Sequence, residues 1–132
     1  MENPETLACR SVFTLHRWIE TVFTRPRDEA ETALTRLLES FHPDFAMVTP
    51  AGDTLTLAAV KQLFLENGGR RPGLRIDVDA CSVLASAGNR VTCRYRETHH
   101  IDGVPRARWS VAVIDIEGET ARWRFLQETA IV

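Results

Sequence analysis

Tyr95-Arg96-Glu97-Thr98-His99-His100, Arg108-Trp109-Ser110-Val111-Ala112-Val113 and Trp123-Arg124-Phe125-Leu126-Gln127-Glu128-Thr129 follow one another across two short turns. Asp102-Gly103 and Glu117-Gly118-Glu119 are hairpin signals, so the reading is consecutive strands of one curved antiparallel sheet. Side chains alternate between the two faces of a strand. Val91, Cys93, Tyr95, Glu97 and His99 therefore share one face, and Thr92, Arg94, Arg96 and Thr98 share the other. The first set is largely apolar and is expected to point inward. It carries a carboxylate and an imidazole one strand repeat apart, roughly 7 Å between α-carbons, and an acid and a base on an apolar face indicate a pocket.

Upstream, Leu74, Ile76 and Val78 lie on one face and Cys81, Val83 and Ala85 on the face of opposite parity. A bulge near Asp79-Ala80 reconciles them, because one extra residue restores a common apolar face and bends the strand around a cavity. Before this point the period is helical. Asn3-Pro4-Glu5 opens a first helix, with Leu7, Val12, Leu15, Ile19, Val22 and Phe23 forming its apolar stripe and His16 beside it, until Arg25-Pro26 ends the run. Asp28 with Glu31 reads as a capping box for a second helix, whose Ala30, Leu34, Leu37, Leu38 and Phe41 face inward until His42-Pro43. A short strand from Asp44 to Thr49 and the turn Pro50-Ala51-Gly52-Asp53 come next. Thr56 caps a third helix that buries Val60, Leu63 and Phe64 and stops at Asn67-Gly68-Gly69. The expected architecture is α+β: three N-terminal helices, one short strand and a four-stranded meander, forming one domain over residues 1–132.

Composition limits the partners. A chain of 132 residues can bury a core without disulfides or metal. Its net charge of −2 gives no field that would draw nucleic acid or an anionic membrane. The three cysteines, Cys9, Cys81 and Cys93, are far apart and in no C-x-x-C pattern, which fits reduced thiols in a cytoplasmic protein and gives no reason to expect zinc or another cofactor. No apolar stretch approaches the roughly 20 residues of a membrane span.

The order helix, helix, short strand, helix, then long bent strands resembles the nuclear transport factor two-like superfamily, whose fold is the cystatin-like cone. Phe41-His42-Pro43-Asp44-Phe45-Ala46-Met47-Val48-Thr49-Pro50-Ala51-Gly52 is similar to the segment after the second helix of SnoaL-like proteins, and the ending from Trp123 to Thr129 resembles the last strand of their uncharacterised small-domain branch. The resemblance implies helices packed on a strongly curved sheet and a homodimer formed through the outer sheet face. The superfamily contains isomerases, dehydratases and polyketide cyclases as well as association modules without catalysis, so function is argued from the site. The isomerase branch's early catalytic aspartate has only Asp44 as a counterpart, and the His, Asp and Tyr set of the dehydratase branch has none.

The catalytic candidates are Glu97, His99 and Tyr95. A carboxylate desolvated in such a cavity has its pKa raised toward the range of a general base, an imidazole nearby relays the proton, and a tyrosine stabilises a developing oxyanion. His16, Phe45, Met47, Phe64, Trp109, Phe125 and Gln127 are the expected pocket lining around a small apolar or aromatic molecule. Of the sixteen cations only Lys61 is a lysine, and Arg94, Arg96, Arg108, Arg122 and Arg124 fall on the outward parity together with Ala112, Ile114 and Leu126. A partly apolar, Arg-rich outer face suits a dimer interface. The alternative to an enzyme is an association module whose interior is fully packed.

Overall fold

The computed structural model describes residues 2–132. Helix α1 spans Pro4–Thr24, and the Asn3 side chain accepts a 2.8 Å hydrogen bond from the Thr6 amide. The helix ends where Arg25, ahead of Pro26, turns extended, because a residue before proline is pushed out of the helical region. Helix α2 (Glu31–Glu39) starts without the expected box. Ala30 is its N-cap, and a backbone turn from Pro26 to Glu29 and Ala30 takes the place of the Asp28 side chain.

Helix α2 also stops before His42-Pro43. The rule that ended α1 makes His42 extended as well, so Phe41–Val48 forms strand β1, and Phe41 is buried as a strand residue rather than a helical one. A register irregularity between Phe41 and Ala46 accommodates Pro43, which has no N–H to give to the ladder. Strand β2 (Thr54–Thr56), absent from the sequence reading, pairs with β1 before Thr56 caps helix α3 (Leu57–Asn67). Val60 and Phe64 are buried, whereas Leu63 is 41% exposed: the helix presents only a narrow i, i+4 stripe.

Strands β3 (Arg75–Ala87), β4 (Arg90–Ile101), β5 (Val104–Glu117) and β6 (Thr120–Ala130) complete a six-stranded sheet in the order β2-β1-β6-β5-β4-β3. All neighbours are antiparallel except β1 and β6, so the sheet is mixed and open. The bend in β3 lies where the parity changes, with a register shift between Asp79 and Ser82 and Ala80 at φ +55°. Helix α1 packs on the concave face, and its Ala8, Val12 and Leu15 join Val91, Cys93, Tyr95, Ile114 and Trp123 in one core. The three cysteines are free, with the sulfurs of Cys9 and Cys81 3.5 Å apart.

A second bulge changes the site. Trp123 is opposite Ile114 and Phe125 is opposite Val113, which leaves Arg124 as an extra residue in β6. Trp123, Leu126 and Glu128 therefore point inward, and Phe125 and Gln127 point outward. Across β4 and β5 the pairs Tyr95–Ser110 and Glu97–Arg108 share the inner face, so Arg108, Ala112 and Ile114 turn inward and Trp109 outward. A one-residue change of parity exchanges the faces of a whole strand. The expected outward set of Arg108, Ala112, Ile114 and Leu126 is corrected on that ground, as is the expected inward set of Trp109, Phe125 and Gln127.

Gly69 ends α3 at φ +71°, and its amide donates to the Val22 carbonyl. A Cβ placed there would meet the Arg25 carbonyl oxygen at 3.0 Å. Gly69→Ala is expected to lower unfolding free energy by about 1 kcal/mol or more, since the left-handed penalty exceeds the gain from a stiffer unfolded chain. Urea unfolding of the two proteins measures this; equal midpoints would contradict it.

Candidate active site

The concave side of the sheet is not completely filled. A cavity of about 290 Å³ opens beyond the packed core, at the small end of the range usual for ligand sites. Its apolar wall comes from α1 (Phe23), β1 (Phe41, Phe45, Met47), α3 (Phe64) and β6 (Leu126). Phe41 and Phe45 are 4.6 Å apart between ring centres, and Phe23 and Phe64 are 5.6 Å apart. Another part of the lining is ionic: His16 from α1, Glu97 and His99 from β4, Arg108 from β5 and Glu128 from β6.

Helical spacing places His16 one turn beyond Val12. Its Nδ1 is 2.7 Å from the Val12 carbonyl, which only accepts, so Nδ1 carries a hydrogen. Its Nε2 is 2.9 Å from Glu97 Oε1. Burial alone would lower the His16 pKa, but the Glu97 carboxylate and the Val12 carbonyl outweigh it and raise the pKa above the usual imidazole value. Burial likewise pushes Glu97 up, and His16 and then His99 outweigh it, holding the carboxyl well below the ordinary carboxylate range. Both shifts favour the imidazolium–carboxylate form of the pair. His99 bonds the second carboxylate oxygen through Nε2, so Glu97 is held by an imidazole on each side.

The raised acid is a different residue. Burial pushes Glu128 above its usual value and the Glu97 charge adds to this, while Arg108, 3.4 Å away, offsets only part. Two carboxyl groups in one cavity are thereby driven apart in pKa, the pattern that separates acid and base roles in proton-transfer sites. Glu97 departs from the expected raised pKa because the expectation weighed burial without His16 on the far side.

Of the expected lining, His16, Phe45, Met47 and Phe64 face the cavity together with Glu97 and His99. Tyr95 does not. It is fully buried one layer deeper, edge-on to His16 at 5.2 Å and to Trp123 at 6.2 Å, and neither its hydroxyl nor that of Ser110 has a hydrogen-bond partner among the described residues. Trp109 lies on the convex face under the Arg94 guanidinium at 4.6 Å. Phe125 and Gln127 are on that face too, and Asp44 is exposed on β1. Glu128 and Arg108 are the residues that strand alternation alone missed. Trp123 and Leu126, three apart, both face inward only because of the bulge, and Trp123 and Phe125, two apart, satisfy regular alternation as well, so the sequence carried no decisive signal for Glu128. Among the described residues no group of three or more His, Cys, Asp or Glu side chains is arranged to hold a metal ion, and no helix is long and apolar enough to cross a membrane.

An open α+β cone is the cystatin-like architecture. The chain is 36% identical to an NTF2-like protein of unknown function from Pseudomonas aeruginosa, over 96% of this chain and 99% of that one, with a TM-score of 0.88. It belongs to the NTF2-like family. More distant structures share the fold: an NTF2-like protein of unknown function from Pseudomonas putida (11% identity, 96% and 88% of the two chains, TM-score 0.69) and a putative calcium/calmodulin-dependent protein kinase type II association domain from Thiobacillus denitrificans (21%, 84% and 98%, 0.62). No family model and no curated protein matches the sequence.

The buried pair predicts a stability profile. Glu97 has its folded pKa below the ordinary 4.5, so its contribution is present above 4.5 and fades as pH falls toward the lowered value. His16 has its folded pKa above 6.5, so its contribution is complete below 6.5 and is lost as pH rises through the raised value. Both are complete between about 4.5 and 6.5. Urea unfolding across pH should show the wild type losing stability on the alkaline side relative to the His16→Gln, Glu97→Gln double variant. Parallel profiles would show that the pair is not charged.

Proposed function

We propose that the cavity binds a small apolar or aromatic molecule and moves a proton on it, in a reaction of the enolisation, isomerisation, cyclisation or dehydration class. The observation that carries this is the split between two buried carboxyl groups facing one cavity, Glu128 raised and Glu97 lowered. Glu128 is the group that takes the proton from carbon: a carboxylate with a raised pKa is the stronger base, and burial strengthens its effect. Glu97 is too well stabilised for that role. It acts through His99, which it holds by Nε2, leaving Nδ1 to exchange a proton with an oxygen of the ligand. Tyr95 packs behind His16 and positions it.

Deuterium exchange at the acidic C–H positions of small ketones and keto acids, such as 2-tetralone and phenylpyruvate, tests the reading by NMR without knowledge of the natural reaction. The wild type is expected to accelerate exchange, with a rate that rises with pH as Glu128 ionises. Glu128→Gln is expected to lose about 10²-fold or more. A folded Glu128→Gln protein with unchanged exchange would remove Glu128 from the chemistry.

The convex face supports a homodimer. Trp109, Val111, Val113 and Phe125 are half-buried there with no helix over them among the described residues, and Arg94 and Arg96 flank Trp109. Aromatic and arginine side chains are those enriched in interfaces. Light scattering is expected to give about twice the 14.9 kDa chain mass, and Trp109→Glu to give a monomer; a wild-type monomer would exclude the dimer.

A further inference from the structure

The cavity continues outward. A second open space beside the β4–β5 hairpin shares Arg71 and His99 with it and adds Arg106 and Asp102. Inside, each acid has a cation of its own: Glu97 meets His16, and Glu128 meets Arg108. At the mouth the balance is reversed. Arg71 and Arg106 form no ion pair with any carboxylate among the described residues, and the one acid in that lining is Asp102.

Two guanidinium groups against one carboxylate leave a single net positive charge at the mouth. Strand register fixes where it lies: Arg106 is opposite His99, as Arg108 is opposite Glu97, so the β5 arginines run along the inner face from the proton-transfer groups to solvent. Arg71 is fixed from the other side. Its amide donates to the Phe23 carbonyl, and its guanidinium lies over the Phe23 ring at 5.6 Å, on the edge of the apolar wall.

We propose that the ligand is a small monocarboxylic acid, its carboxylate held at the mouth by Arg71 and Arg106 and its apolar body in the Phe-lined cavity. This rests on the cavity being a ligand site. The guanidinium fork matches a carboxylate with two parallel hydrogen bonds. A monoanion cancels the net charge of the mouth, and a neutral or cationic molecule leaves it unmatched. The volume holds roughly ten groups of water size at about 30 Å³ each, the size of one aromatic ring with a short acid side chain.

Titration calorimetry with matched acids and amides, 3-phenylpropionate against 3-phenylpropionamide and phenylacetate against phenylacetamide, tests the proposal. Each acid is expected to bind about tenfold or more tightly than its amide, because charge-assisted hydrogen bonds supply that difference. The Arg71→Gln, Arg106→Gln double variant, and Arg106→Gln alone to a smaller degree, should bring the affinities of acid and amide together; raised salt should narrow the same gap in the wild type. Equal binding of acid and amide overturns the anionic ligand and leaves the cavity reading intact. A preference that survives in the double variant overturns the assignment to these arginines. Failure of both members of both pairs to bind removes the ligand site itself, and the proposal with it.

Discussion

One extra residue in the last strand governs what the cavity contains. Trp123 must fill the centre of the core, and from there a regular strand would carry Phe125 and Gln127 inward and turn Leu126 and Glu128 to the outside. The bulge at Arg124 reverses this. It gives the cavity an aliphatic wall and a second carboxyl group, and sends Phe125 to the convex face. Arg124 itself is held at the bulge by His42 at 2.9 Å, so the start of β1 secures the irregularity. Bulges beside active sites commonly aim a side chain in this way.

Once Glu128 points inward, the electrostatics of the site follow from crowding. Two carboxylates and an imidazolium in one poorly solvated space cannot all carry charge independently. Glu97 takes the better partners: the His16 imidazolium, itself fixed by the Val12 carbonyl, and His99 on its other oxygen. Glu128 is left with a longer contact to Arg108 and with the field of Glu97. A buried pair such as His16 and Glu97 adds little net stability compared with an apolar substitute, yet breaking one half is costly. Its value lies in holding one charge state of Glu97 and so setting that of its neighbour.

The helices, the hairpins and the β3 bulge were legible in the sequence because each depends on local chemistry: an Asn-Pro start, Asp-Gly and Glu-Gly turns, and a parity change that only a bulge repairs. The start of α2 was not, because the chain closes the turn at Pro26 with backbone bonds and leaves Asp28 idle. The role of Phe41 was misassigned because an apolar residue three beyond Leu38 fits a helix as well as a strand. Alternation placed Glu97, Cys93 and Tyr95 correctly on the inner face of β4. On β5 the faces were exchanged: Trp109 was expected in the apolar pocket lining and Arg108 outside, although a tryptophan between two arginines packs equally well on the convex face. Charge states were beyond reach of the sequence, since His16 and Glu97 are brought together by packing alone.

The parallel pairing of β1 with β6 bears on the order of assembly. Strands β3 to β6 form by successive hairpins, whereas β1 and β2 have no sheet neighbour other than each other until β6 lies between β1 and β5. The contact of Phe41 with Trp123 closes a loop of roughly eighty residues, the kind of long-range pairing that slows folding. The apolar wall from β1 and the ionic wall from β4, β5 and β6 therefore meet only through the long-range pairing of β1 with β6. The pairing that completes the sheet is thus also the one that completes the cavity, and the meander by itself lacks the wall that Phe41, Phe45 and Met47 supply.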